Sequence, residues 1–218
     1  MVRLENLCKT YFLEGSRTTV AHNVNAVFPT GTSVALLGRN GAGKSSLLRM
    51  IAGNMDPSSG KITSTGAISW SVGFAGSFHP DLTGSQNTRF VARIYGVDSD
   101  ALINYVQDFA ELKHHFNLPY RTYSSGMRSR LAFGISMGIQ FDTYLVDEVT
   151  SVGDAAFRSK CISVFTDRMK DSGAIVVSHS VPMVRNMCSA GAVLENGKLT
   201  YFDDLEEAIV VHNKNMGL

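Results

Sequence analysis

Cysteine is scarce. The three residues Cys8, Cys161 and Cys188 are scattered through 218 positions and odd in number. That excludes a disulfide framework, and the lack of any CxxC pair excludes the common zinc sites, as expected of a protein kept reduced in the cytosol. The N-terminal MVRLENLCKT holds no apolar signal core, and no stretch approaches the ~18 apolar residues of a membrane span. Any membrane role must therefore come through a partner. A long basic run is missing too: 20 Lys+Arg against 19 Asp+Glu leave a net charge of +1, which argues against nucleic acid as the main partner. There are no internal repeats, no low-complexity segments and no flexible linker. What remains, 44% hydrophobic and 18% charged, is an ordinary soluble globule, long enough for one sizeable core but not for several full domains.

Against that plain background one stretch stands out, Gly38–Ser46, which reads GRNGAGKSS. It fits G-x-x-x-x-G-K-[ST], a phosphate-cradling loop between a buried strand and a helix. The approach, Thr32–Leu37 (TSVALL), is short and apolar, and the exit, Ser46–Ala52, carries Leu47, Leu48 and Ile51 at helical spacing. Gly41 and Gly43 permit backbone angles that bulkier residues resist, so successive N–H groups can converge on an anion, aided by the positive end of the helix. Gly38, Arg39, Asn40, Ala42 and Ser46 complete the cradle. Lys44 is expected to reach the β- and γ-phosphates of a nucleoside triphosphate, and the Ser45 hydroxyl to ligate Mg2+.

The rest of the chain alternates strand and helix. Val2–Lys9 and Thr18–Phe28 alternate polar and apolar residues as half-buried strands, with Glu14-Gly15-Ser16 as their turn. Lys61–Val72 predicts one or two more strands, expected to join them in a small antiparallel sheet. From Thr83 the texture is helical, with one apolar stripe of Phe90, Val91, Ile94 and Tyr95 and another of Leu102, Tyr105, Val106 and Phe109, both expected to pack mostly inward. A helix follows from about Met127 to Gln140, a buried strand at Tyr144–Val146, a helix over Ala155–Met169, a strand at Ala174–Val177 and a helix at Val181–Cys188. Asn196-Gly197 predicts a hairpin turn, and Asp203 with Glu206 a capping box for the last helix. The order implies an α/β fold with a mainly parallel sheet.

Three further stretches carry chemistry. Asp147-Glu148 ends the apolar strand YLV: Asp147 is placed to hold Mg2+ beside Ser45, and Glu148 to polarise a water attacking the γ-phosphate, general-base work worth ~10²–10⁴-fold. His179 follows the strand AIVV and faces the same crevice, able to donate to the γ-phosphate. Tyr123–Met127 (YSSGM) puts Ser124, Ser125 and Gly126 at the start of an amphipathic helix, a second anion site. One nucleotide has no need of two such sites on one subunit. Two subunits placed head to tail do, each completing the other's site.

With these pieces in order the chain resembles the nucleotide-binding subunit of ABC transporters over essentially its whole length. Gly38–Ser46 matches their Walker A, YSSGM their signature, YLVDE their Walker B and His179 their switch histidine. SVGD (Ser151–Asp154) looks like their D-loop, with Asp154 its acid, and Tyr11 in CKTY matches the aromatic that stacks on adenine. The intervals also fit, 21 residues from Gly126 to Asp147 and 31 from Glu148 to His179. The resemblance implies a P-loop NTPase (RecA-like) core, about 1–82 and 123–218, with a small N-terminal antiparallel β subdomain and a helical subdomain of about 83–122. It also implies a homodimer of ATPase subunits serving two copies of an integral-membrane permease at the cytoplasmic face of the bacterial inner membrane.

A finer resemblance is to polysaccharide-export ATPases, carried by ISWSVGFAGSFHPDLTGSQN (Ile68–Asn87), YSSGMRSRLAF and YLVDEVTSVGDAAFRSKC (Tyr144–Cys161). Relatives that export O-antigen carry an added C-terminal carbohydrate-binding domain. A chain ending at Leu218 is expected to be of the capsule type, although teichoic-acid exporters share the strings. The polysaccharide itself is expected to be handled mainly by the permease. There are departures. Ser125 and Tyr123 replace the usual glycine and leucine of the signature, Val149 stands where many relatives have proline, and Phe74–His79 lacks the Q-loop glutamine, with His79 a candidate that the sequence does not single out as its replacement. Rival readings are a soluble ABC ATPase, disfavoured because no coiled-coil insertion or second cassette is present, an importer, disfavoured by the missing glutamine, and an ATP-holding switch without turnover, disfavoured by Glu148.

Overall fold

A run of five buried residues, Ser33–Leu37, can exist only where both faces of a strand are covered, and this run lies in the middle of the main sheet. The computed structural model describes residues 1–13, 15–72, 78–147, 154–178 and 180–217. In chain order these form β1 (Val2–Leu13), β2 (Ser16–Phe28), β3 (Ser33–Leu37), α1 (Lys44–Ile51), β4 (Ser59–Ser64), β5 (Ile68–Ser71), α2 (Gly84–Tyr95), α3 (Ser99–Ala110) and α4 (Ser125–Gly138). Then come β6 (Thr143–Asp147), α5 (Ala155–Arg168), β7 (Gly173–Val177), α6 (Val181–Met187), β8 (Ala190–Glu195), β9 (Lys198–Phe202) and α7 (Leu205–Met216). The contacts divide the chain into two compact units, one of residues 1–71, 141–148 and 169–218, the other of residues 72–140 and 149–168.

In the first unit the six-stranded sheet runs β5-β6-β7-β3-β8-β9, parallel throughout except for the β8–β9 hairpin. Asn196 and Gly197 both take positive φ, 50° and 74°, the pair that a tight hairpin of matching twist requires. A second, antiparallel sheet runs β2-β1-β4. The fold is thus α/β with a mainly parallel sheet. One expectation is corrected here: β4 joins the N-terminal strands, but β5 is an edge strand of the main sheet, paired with β6. The core lies between the two sheets and α1, with Leu4, Leu7, Phe28, Leu47, Leu48 and Leu145 among its residues.

The second unit is helical. Phe109 of α3 lies 5.8 Å from the ring of Phe133 in α4 and 5.4 Å from that of Phe157 in α5. The first predicted stripe is corrected: Phe90, Ile94 and Tyr95 are 55%, 61% and 41% exposed, and α2 buries Gly84, Asn87, Thr88 and Ala92 instead. The reason is Asn87. Its amide donates to the carbonyls of His79 (3.1 Å), Leu82 (3.2 Å) and Thr83 (3.1 Å), while its oxygen accepts from His79 N (2.9 Å). A side chain so fully satisfied can be buried without penalty and fixes the entry into the helix.

Candidate functional site

The strand β3 ends at Leu37, held between β7 and β8, and the chain then turns through glycines whose angles no other residue adopts easily. Gly38, Gly41 and Gly43 have φ of 153°, 81° and 104°. A Cβ at Gly38 would run into the Leu194 carbonyl, and one at Gly43 would lie 2.7 Å from Val20 Cβ. Glycine is therefore demanded at Gly43 by both angle and space. The turn is closed by Ala42 N donating to the Arg39 carbonyl at 3.1 Å. Helix α1 begins at Lys44, two residues before the expected exit at Ser46; its N-cap is Gly43, with no side-chain cap and no acid in the first turn. A helix start so arranged presents its amides and the positive end of its dipole to an anion.

Lys44 lies across this loop, its Nζ donating to the carbonyls of Gly38 at 2.7 Å and Arg39 at 2.9 Å. In front is a cavity of about 310 Å³ lined by Val20, Asn40, Gly41, Gly43–Ser46, Asp147 and Val177. The parallel register pairs Asp147 with Val177, so β6 and β7 end side by side at this wall. Ser45 and Asp147, 102 positions apart in the chain, thus face one cavity. A hydroxyl and a carboxylate are the hard oxygen donors that Mg2+ takes. Among the described residues no group of three or more His, Cys, Asp or Glu could hold a metal ion alone. Tyr11 reaches the same helix start: its hydroxyl hydrogen-bonds Ser46 Oγ at 2.9 Å and contacts Met55 Sδ at 3.2 Å. Val20, which walls the cavity from β2, carries no sequence signal and was not anticipated.

In the helical unit Ser124 is the N-cap of α4, its hydroxyl accepting from Met127 N at 3.3 Å. Ser124 and Ser125 are exposed, and a Cβ at Gly126 would meet nothing within 4 Å, so this chain's own packing does not require the glycine. Tyr123 is buried, its hydroxyl donating to the His115 carbonyl at 2.7 Å, and burial pushes that phenol up to about 12. The tyrosine here is an anchor for the turn that presents Ser124. Asp154 accepts from Phe157 N at 2.9 Å and from Arg130 at 2.7 Å; the Phe157 amide first, and then Arg130, hold its carboxyl below the usual carboxylate range. Glu148, Ser151, His179 and most of Phe74–His79 lie outside the described residues; His79 is exposed, its Nδ1 accepting from Asp81 N at 3.2 Å.

The model of the ABC transporter family matches residues 21–151. The chain is 47% identical to the polysialic acid transport ATP-binding protein KpsT of Escherichia coli, over 96% of this chain and 95% of that one. It is 40% identical to the capsule polysaccharide export ATP-binding protein CtrD of Neisseria meningitidis, over 98% and 99%. Export ATP-binding proteins for O-antigen in Klebsiella pneumoniae and for teichoic acids in Staphylococcus epidermidis match at 34%. Among solved structures, the ATP-binding cassette MJ0796, as a dimer bound to ADP and Pi, superposes with a TM-score of 0.79 at 21% identity, covering 94% of this chain and 99% of that one, and so shares the fold.

Proposed function

The chain belongs to the ABC transporter family, and on that premise we propose that it is the ATP-hydrolysing subunit that powers capsular polysaccharide export through a separate membrane permease. The observation that carries the reading is the shared cavity, in which an uncapped helix start, Lys44, Ser45 and Asp147 meet. The cargo follows from relatives named for polysialic acid and capsule at 40% identity and above, ahead of those named for O-antigen and teichoic acids. Among the described residues no helix is long and apolar enough to cross a membrane. In this reading the glycan path belongs to the permease, and the chain docks on it at the cytoplasmic face of the inner membrane.

The chemistry divides among named residues. The loop amides and Lys44 bind the triphosphate, Lys44 leaving the Gly38 and Arg39 carbonyls for the β- and γ-phosphates. Tyr11 supports the adenine. Ser45 and Asp147 would hold Mg2+, which when bound would supply charge neutralisation at the phosphates. Glu148 takes the proton of the attacking water as its oxygen bonds to the γ-phosphorus and the bond to the ADP oxygen breaks; His179 senses the γ-phosphate. Ser124, Ser125 and Gly126 of a second copy close over the nucleotide, which suits their exposure and the open space at Gly126. Triphosphate favours the closed dimer and hydrolysis removes that preference. Two copies thus drive two permease copies. The test is Glu148→Gln: turnover falls at least ~10²-fold while ATP still yields a dimer in size-exclusion chromatography. Near-normal hydrolysis would remove Glu148 from the role of base, and a monomer with ATP bound would contradict the shared sites.

A further inference from the structure

Behind the phosphate loop lies a second, smaller cavity of about 80 Å³, walled by Gly38 and Lys44, by Ser178 at the end of β7, and by Ile209, His212 and Asn213 of α7. No motif places the last helix at the nucleotide site, yet the packing leaves it no slack. A Cβ at Gly191 in β8 would collide with Ala208 of α7, and the next strand residues bring the Leu194 carbonyl against Gly38. The rear of the loop therefore rests on β8 and α7 together.

Two buried polar atoms are unsatisfied, one on His212 of this wall and one on Glu195 at the end of β8. His212 Nδ1 and Glu195 Oε2 are buried and find no hydrogen-bond partner among the described residues. Buried polar atoms are nearly always bonded, to protein or to ordered water. A water needs only ~10–15 Å³ of such space and two to four polar partners. This cavity has the room, and Ser178, Asn213 and His212 offer the partners. Burial, and then the Lys44 ammonium, hold the imidazole below its usual range, with Glu195 opposing them. A neutral ring bonds water through either nitrogen without adding a second cation beside Lys44.

We propose that His212 is a positioning residue for the phosphate loop, its Nδ1 bonded through water in this cavity and so bracing Gly38 and Lys44 from behind. The inference rests on the ATPase reading above. It makes α7 part of the nucleotide site, about 170 residues downstream of the loop it supports. A loop braced in advance spends less of the binding free energy on ordering, so the brace acts on affinity for ATP rather than on the chemical step.

The test compares His212→Leu, which fills the space with an apolar group, with His212→Asn, which keeps a polar atom where Nδ1 stands. His212→Leu should raise the KM for ATP roughly three- to tenfold, the range of one hydrogen-bonded contact, with kcat nearly unchanged. His212→Asn should stay close to wild type. A wild-type KM in His212→Leu overturns the proposal, and so does an equal rise in both variants, which would make ring packing the cause. If His212→Leu does not fold, His212→Ala takes its place with the same expected rise and the same refuting result. Wild-type protein in the same assay separates the two readings: no hydrolysis there sinks the ATPase function itself, whereas normal hydrolysis with indifferent variants sinks only the brace.

Discussion

Alanine at Gly41 and at Gly43 makes the same chemical change in the same loop, two residues apart, and should give very different proteins. Both glycines take left-handed angles, φ 81° and 104°, which cost any other residue ~1–2 kcal/mol. At Gly41 nothing lies within 4 Å of the added methyl, so that cost is the whole effect. At Gly43 the methyl would lie 2.7 Å from Val20 Cβ and 3.1 Å from the Val20 carbonyl. Val20 stands at a bulge of the β1–β2 ladder, between Thr19 paired with Thr10 and Ala21 paired with Lys9, so its neighbours on both sides restrain it. Overpacking of this kind adds ~1–3 kcal/mol. In a chain of this size each kcal/mol moves the unfolding midpoint by ~2–4 °C. Gly41→Ala should therefore lower Tm by about 5 °C and Gly43→Ala by about 10 °C. Calorimetry without nucleotide measures both, and binding of a fluorescent ATP analogue should survive, weakened, only in Gly41→Ala. Adding Val20→Ala should not rescue Gly43→Ala, since alanine keeps both the Cβ and the carbonyl that collide. Equal midpoints for the two variants would refute the reasoning, because they would mean that β2 does not confine the loop.

Phe90→Glu should shift Tm by less than ~2 °C and leave the ATPase of the purified subunit intact, since the ring is 55% exposed; if this face grips the permease, the same substitution should abolish surface polysaccharide in cells, and normal export would exclude Phe90 from the contact. Burial raises the Cys161 and Cys188 thiols from 9.0 to about 12, so at pH 8 roughly one in 10⁴ is thiolate and maleimide should label the half-buried Cys8 first; equal labelling of all three in native protein would contradict that burial. Because those two folded-state values lie above the unfolded ones, unfolding releases protons, and stability that is complete below pH 9 should decline as pH rises toward 12, a loss that Cys161→Ala and Cys188→Ala should each lessen in alkaline denaturation.

Features set by a few adjacent residues were legible in advance. The phosphate loop, the apolar strand ending in Asp147 and the Asn196-Gly197 hairpin each follow from local angles or local period, and each stands where the sequence puts it. Where two neighbours offered the same chemistry, sequence picked the wrong one: Asp204 rather than Asp203 caps α7, accepting from Glu206 N and Glu207 N at 2.6 and 3.2 Å. Choice of partner was not legible either. The patterns of β4 and β5 are alike in kind, and only tertiary pairing sends one to each sheet.

The α2 stripe shows why function can hide in that gap. Periodicity establishes that Phe90, Ile94 and Tyr95 share a face, but not that the face is covered. The opposite face won burial because small residues let it approach closely: a Cβ at Gly84 would lie 2.9 Å from the ring of Phe116. Asn87 could follow it inward because the segment from His79 to Thr83 satisfies its amide completely. Exposing three large apolar side chains costs solubility and gains this chain no stability of its own. Such a patch is the mark of a surface meant to be covered, and Phe90→Glu in cells tests whether the permease is what covers it. The same logic applies to α4 in the same unit. Gly126 stands in open space, where alanine would favour the helix by ~0.5–1 kcal/mol. A glycine with no internal reason is best explained by what approaches it from outside, and an ATP held by a second copy is the approach that the uncapped helix start at Lys44 supplies.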